Sequence, residues 1–209
     1  MSNLSPFYDT FYWAINSTWP MLTLFIAIIL VLKITKVIIN NDKFTFYKEF
    51  YNLLFIIYVL LLYFLLLSTE NAASGINFIP FKEMTRYNIG SKAFFYNVIG
   101  NIVLFIPFGY FVSDYLKGKK IHHILIPSVL ISLTAELIQY KIGRAFDIDD
   151  IILNVIGAIL GFMCYISVRA MKQHLPKFLQ NNIFYNFLAI IILIFIILLF
   201  GSIWGINLW

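Results

Sequence analysis

Acidic side chains cluster in one short stretch of this sequence. Four of its ten acidic residues fall between Glu136 and Asp150. Carboxyl groups can act as general acids or bases, can orient a bound ligand, or can hold a divalent cation. The catalytic candidates are Glu136 and Asp150, but their spacing selects none of these chemistries. A metal and a cofactor are therefore left unassigned.

Helical spacing divides the polar side chains of this region into two groups. Residues three or four apart lie on one face of a helix. The first group is Glu136 and Gln139, and the second is Asp147, Asp150 and Asn154. We expect a helical hairpin to bring the two faces together as a ligand-binding surface.

The charged residues of this stretch also allow a purely structural interpretation. An ionisable group inside a membrane span usually faces the bundle interior and marks function, so Glu136 is a candidate with Arg144 as its nearest counter-charge. However, Asp147, Asp149 and Asp150 open a predicted helix, where carboxylates cap free N–H groups and complement the helix dipole. Capping alone stays an open alternative for Asp149.

Smaller patterns lie outside the acidic stretch. Asn97 and Asn101 are four apart and either contact a ligand or bond across to another helix. Gly157 and Gly161 have the spacing that predicts close helix packing. The single cysteine, Cys164, excludes an internal disulfide.

Long apolar helices must position these residues. Hydrophobic residues make up 61% of the 209-residue chain, against roughly 45–50% in soluble domains. They fall in runs of about 18–21 residues, enough to cross a bilayer as a helix. The predicted class is an all-α, polytopic membrane helix bundle, a single membrane domain over 1–209. Six spans are predicted: approximately Trp19–Ile39, Tyr51–Ser68, Asn97–Tyr115, Ile121–Tyr140, Asp149–Val168 and Ile183–Ile203.

Basic residues orient the predicted bundle. The region Met1–Asn16 lacks the basic start of a signal peptide, so we expect the first span to be retained. Lysine and arginine are concentrated in the first, third and fifth loops, which marks those loops as cytoplasmic. Both termini, and the acidic stretch, are then predicted to be outside. The net charge of +5 is thus a topology signal, and no nucleic-acid partner is expected.

The long loop Thr69–Tyr96 allows two interpretations. It is either an ordinary external loop with a few anchoring aromatic residues, or a segment that folds back and covers a site. A loop of this length without its own structure is uncommon and often functional. The sequence leaves both interpretations open.

The order and spacing of several motifs resemble those of VanZ-like membrane proteins. The resemblance covers about 77–162, and the apolar spans at about 19–39, 51–68 and 183–203 add little to it. It is carried by the following segments: Asn77–Phe81 (NFIPF), Asn97–Gly109 (NVIGNIVLFIPFG), Glu136–Gln139 (ELIQ), Arg144 and Asp147–Gly157 (DIDDIILNVIG).

The resemblance implies a role in the bacterial cell envelope, in a multi-pass protein of the cell membrane. The associated phenotype is lowered susceptibility to the glycopeptide teicoplanin. The implied partners are membrane lipids, with a lipid-linked cell-wall precursor or a glycopeptide as further candidates. Two alternatives stay open: an enzyme acting on a lipid-linked phosphate at the outer leaflet, and a lipid transporter or flippase.

Overall fold

The computed structural model describes residues 5–40, 44–67 and 75–203. Five of its helices are long and apolar enough to cross a membrane. The chain is therefore an all-α, multi-pass membrane protein, as predicted. The six long helices of the described residues are α1 (Ser5–Asn40), α2 (Phe46–Leu67), α3 (Lys92–Leu116), α4 (His122–Lys141), α5 (Ile148–His174) and α6 (Asn182–Ile203), and short 3-10 helices occur at Met84–Arg86 and Lys177–Gln180.

The predicted sixth span falls within α6. The apolar part of α6, Asn182–Leu198, is shorter than the five candidate spans. The number of six spans and the external position of both termini therefore stay predictions. Pro107 and Pro127 lie inside α3 and α4, and both helices continue through them.

Helix α3 begins irregularly. Its first turn, Lys92–Phe94, is α-helical, and Phe95–Ile99 forms a π-helical segment before α-helix resumes at Gly100. The Ser91 hydroxyl accepts a hydrogen bond from the Phe94 N–H at 3.1 Å and caps the start. A π segment re-aims the side chains of its turn and frequently occurs at functional sites. The candidate Asn97 lies within it.

Glycines set the distance between α3 and α5. A Cβ on Gly157 would overlap the carbonyl oxygen of Ile102, and one on Gly161 would overlap that of Ile106. Gly109 of α3 meets the backbone of α5 in the same way. The two backbones touch without intervening side chains, as the glycine spacing predicted.

A short parallel β pairing joins two connections that are far apart in sequence. Strand β1 (Ile76–Asn77) pairs with strand β2 (Phe146–Asp147), so that Asn77 lies opposite Asp147. The Phe146 N–H also donates to the carbonyl of Gly75 at 3.0 Å. The pairing holds the loop after α2 against the connection between α4 and α5, and it was not predicted from the sequence.

The chain divides into two compact units. The first is Met1–Ala14 with Leu61–Ala170, and it contains all the candidate site residues. The second is Ile15–Leu60 with Met171–Trp209, in which Lys33 and Glu49 form an ion pair at 2.6 Å. The single-domain organisation stays a prediction.

Candidate functional site

The carboxylate of Asp149 fastens the loop that follows β1. It accepts hydrogen bonds from three backbone N–H groups, those of Phe81, Glu83 and Met84, at 2.5, 2.8 and 3.1 Å. Phe81 has a φ of +66°, a left-handed conformation that a bulky residue adopts only when its surroundings enforce it. Asp149 is 1% exposed. Its main role is thus to hold this loop against the first turn of α5.

The described part of the long loop therefore folds back onto the start of α5, while its external position and its role in covering a site stay predictions. The backbone bonds to Asp149 and the β1–β2 pairing both attach it to the start of α5. Residues 69–74 of the predicted loop lie outside the described residues.

Asp147 provides the helix cap that the acidic cluster predicted. Its Oδ1 accepts the Asp149 N–H at 2.9 Å, the bond of an N-cap residue to the first turn of its helix. The same oxygen accepts the Asn77 side-chain amide, also at 2.9 Å. Burial raises the pKa of Asp147, the two hydrogen bonds oppose that rise, and the nearby Asp149 and Glu83 carboxylates add to it.

Asp150 points from α5 towards α3. Its Oδ1 accepts the side-chain amide of Asn101 at 2.6 Å, and the same amide donates to the Asn97 carbonyl at 3.1 Å. The exposed Asn97 side chain donates to the Ala93 carbonyl at 2.9 Å. Asn101 therefore makes the interhelical bond that was one of its two interpretations, and its partner is itself a candidate site residue.

Glu136 and Gln139 are both buried, but they contact different parts of the unit. Glu136 accepts the Asp147 N–H at 3.0 Å, which links α4 to the start of α5. Gln139 donates to the Leu66 carbonyl at 2.6 Å. Arg144 donates to the same carbonyl at 3.2 Å, and it is not among the ion pairs of the described residues. Arg144 thus bonds directly to Leu66 and acts on Glu136 electrostatically, as its predicted counter-charge, without a direct ion pair.

Asn154 faces away from the acidic residues that share its predicted helix face. Its side-chain amide donates to the Ser132 hydroxyl of α4 at 2.9 Å, and both residues are buried. Asp147 meets β1, and Asp150 meets α3. The three side chains therefore contact different elements. Asp147 precedes α5, so helical spacing does not apply to it. Asp150 and Asn154 are both in α5, but they bond to α3 and α4 respectively.

An open cleft of about 390 Å³ lies where these segments meet. Four of the predicted ligand-binding residues line it: Asn97, Arg144, Asp147 and Asp150. The other four do not line it. Asn101 and Glu136 bond to the lining residues Asp150 and Asp147, whereas Gln139 and Asn154 bond to Leu66 and Ser132. The cleft is thus formed by the loop after β1, the start of α3, the connection before α5 and the first turns of α5.

Comparison with known protein families identifies a match that includes the region of the cleft. A family model described as VanZ/LLP1 matches residues 19–169, well over half of the chain. The chain belongs to the VanZ/LLP1 family. The match begins in α1, so it extends beyond the 77–162 core that carries the sequence resemblance.

One relative of this VanZ/LLP1 chain is Protein VanZ of Enterococcus faecium. The two are 34% identical over 103 residues, which is 48% of this chain and 62% of the relative. The chain therefore matches less than two thirds of that relative's length. No solved structure matches the chain significantly.

Four residues that line the cleft of this VanZ/LLP1 protein were not candidates from the sequence. They are Lys82, Glu83, Arg86 and Tyr87, and all four lie in the loop after β1. The NFIPF motif, Asn77–Phe81, directly precedes Lys82 and is the sequence feature that could have drawn attention to this loop. Burial raises the pKa of Tyr87, and the neighbouring Glu83, Asp150 and Asp147 raise it further while Arg86 lowers it. The Tyr87 phenol is therefore a neutral hydrogen-bonding group.

The cleft of this VanZ/LLP1 protein contains groups suited to binding a polar molecule. Lysine and arginine recognise phosphates and carboxylates, and carboxylates recognise ammonium groups. Within the described residues, no group of three or more histidine, cysteine or acidic side chains is arranged to hold a metal ion.

Proposed function

We propose that this protein lowers the susceptibility of a bacterium to teicoplanin-type glycopeptides. It does so by binding a charged group of an envelope lipid, or of the drug, in the cleft between the loop after β1 and the start of α5. The observation that carries the proposal is the cleft itself, with charged residues of both signs in its walls. The basic-residue distribution predicts that this end of the protein is at the outer face of the cell membrane, where a glycopeptide acts.

The charged walls are held in place by short contacts inside the same unit. Asp149 fixes the loop that carries Lys82, and the Leu66 carbonyl holds the Arg144 guanidinium. Asn101 fixes Asp150 from α3. A site whose side chains are positioned in advance loses less conformational entropy when it binds a ligand. This favours recognition over a role for the charges as unconnected surface groups.

The test is teicoplanin susceptibility in a sensitive Gram-positive host that expresses the protein. The wild type, Asp150→Asn and Asp114→Asn are compared at matched membrane levels. Asp114 is the matched control because it pairs with Lys117 at 3.1 Å at the end of α3, outside the cleft. The proposal expects protection from the wild type and from Asp114→Asn, and loss of protection in Asp150→Asn. No protection by the wild type refutes it.

A second candidate is an enzyme that acts on a lipid-linked phosphate at the outer leaflet. The observation that favours it is the close association of two carboxyl residues: Asp150 lines the cleft, and Glu136 is buried behind the adjacent Asp147. If Glu136 were a general acid or base, Glu136→Gln would abolish function. If Glu136 only accepts the Asp147 N–H, the amide oxygen of glutamine replaces it and most function remains.

Mass spectrometry of envelope lipids gives a direct test of the enzyme candidate. Cells with and without the protein are compared for isoprenoid and glycerol-lipid phosphates. Identical lipid profiles in cells that are nevertheless protected exclude the enzyme and leave the binding function.

A further inference from the structure

Several charges of the cleft are already paired by the protein. Arg86 and Glu83 form an ion pair at 3.1 Å. The Asp149 carboxylate is occupied by three backbone N–H groups. These three residues are therefore not the ones that a ligand must neutralise.

Apart from these three residues, two cationic and two acidic side chains of the cleft are available to a ligand. Lys82 and Arg144 line the cleft and form no ion pair among the described residues. The buried Nε of Arg144 has no hydrogen-bond partner there, although its Nη1 donates to the Leu66 carbonyl. On the acidic side are Asp147 and Asp150, whose hydrogen-bond partners are amide and backbone N–H groups. Arg144 interacts electrostatically with Asp150, but the two form no direct ion pair.

The presence of two cationic and two acidic side chains restricts what the cleft can bind. A simple anion would meet the two carboxylates, and a simple cation would meet the lysine and the arginine. A charge moved from water into a partly buried site loses hydration, so it must be paired there with a charge of the opposite sign. A ligand that carries both charges can pair with both sets of side chains.

The geometry points to a zwitterionic ligand in which a primary ammonium lies close to a phosphate or carboxylate. This inference rests on the proposed function and names the chemical class that its site takes. The ammonium pairs with Asp147 and Asp150 and lies near the ring of Tyr87, which also lines the cleft. The anionic group pairs with Lys82 and Arg144. Such a group occurs in the headgroup of an amine-bearing phospholipid and in free aminophosphates.

The test is calorimetric binding to the purified full-length protein in nanodiscs of phosphatidylglycerol. The soluble probes are glycerophosphoethanolamine, glycerophosphate and ethanolamine, measured one at a time. We expect glycerophosphoethanolamine to bind at least about tenfold more tightly than either of the others, because only it pairs with both signs of charge. Equal or tighter binding of glycerophosphate overturns the inference, and so does the absence of binding by all three probes.

Variants separate the two halves of the ligand. Asp150→Asn keeps an oxygen for Asn101 but removes a charge, so the preference for glycerophosphoethanolamine over glycerophosphate should fall. Arg144→Gln should instead reduce the preference for glycerophosphoethanolamine over ethanolamine. Asp114→Asn changes a carboxylate outside the cleft and should leave both preferences unchanged. A preference that survives both cleft variants overturns the assignment.

A second arm distinguishes the source of the ligand and keeps this inference separate from the proposed function. Phosphatidylethanolamine added to the nanodiscs should compete with the soluble probe if the ligand is a lipid headgroup, and should leave its binding unchanged if the ligand is a free molecule. If the wild type protects cells from teicoplanin but glycerophosphate binds best, the inference fails and the function stands. If the zwitterion binds best but no protection occurs, the function fails and the ligand class stands.

Discussion

Two neighbouring stretches of α5 are both tightly packed, but for opposite reasons. In Ile148–Asn154, carboxylate and amide side chains reach the loop after β1, α3 and α4. In Gly157–Gly161, the two glycines let the backbone of α3 touch α5 directly. The first stretch is held by side-chain hydrogen bonds, and the second packs closely because its glycines have no side chains. Only the first borders the open cleft, so changes in the two stretches should affect different properties.

The largest effect is expected from Gly161→Leu. Even the Cβ would overlap the Ile106 carbonyl oxygen and approach the backbone of Tyr110, so α3 and α5 must separate. The cost should exceed the about 1–3 kcal/mol of ordinary overpacking. The measurement is the amount of folded protein in the membrane and its Tm in detergent. Cys164→Leu adds volume at an exposed position of the same helix and should fold normally.

Asp149→Asn should have the next largest effect. Its carboxylate accepts three backbone N–H groups, and an asparagine would turn an NH₂ group towards at least one of them. Loss of charge-assisted hydrogen bonds of this kind costs about 1.5–3 kcal/mol each. We expect faster amide hydrogen exchange in residues 79–87 while the glycine contacts of α5 keep their protection. Unchanged exchange in the loop would show that the β1–β2 pairing alone holds it.

The helices could be predicted from the sequence because apolar runs of spanning length leave a strong pattern. The cleft was only half predicted, since helical spacing identifies residues such as Asp150 but not their contacts. The two-residue strands are too short to leave a pattern, so the pairing of Asn77 with Asp147 could not be foreseen. Lys82 was missed because a loop lysine has no periodicity, and only the bonds of Asp149 bring it to the cleft.

Arg144→Gln should affect binding more than folding. It removes a guanidinium that lines the cleft and one hydrogen bond to the Leu66 carbonyl. We expect affinity for glycerophosphoethanolamine to fall about tenfold, or about 1.4 kcal/mol, with membrane abundance close to that of the wild type. Calorimetry and quantitative immunoblotting measure the two quantities. A large loss of abundance would place Arg144 with the structural residues instead.

The smallest effect is expected from Asp147→Asn, which keeps an oxygen for both hydrogen bonds. Because the pKa of Asp147 is raised on folding, the native state binds more protons than the unfolded state between the ordinary and the raised pKa. Its contribution to stability therefore falls as pH rises through that window.

The charged groups near Asp147 include Glu83 and Asp149, which raise its pKa, and Glu136, Asp150 and Arg144, which interact with one another beside it. The asparagine variant should have a Tm equal to or slightly above that of the wild type at neutral pH. The difference should vanish below the ordinary carboxyl pKa. A variant that is less stable at every pH would show that the hydrogen bonds, rather than the buried charge, dominate.

The most direct measurement is teicoplanin protection per molecule of membrane-inserted protein. It is determined in the same cells for the wild type, Arg144→Gln, Asp150→Asn and Gly161→Leu. We expect the two cleft variants to lose protection at normal abundance, and Gly161→Leu to lose protection only in proportion to its lower abundance. Full protection per molecule by both cleft variants would contradict a function located in the cleft.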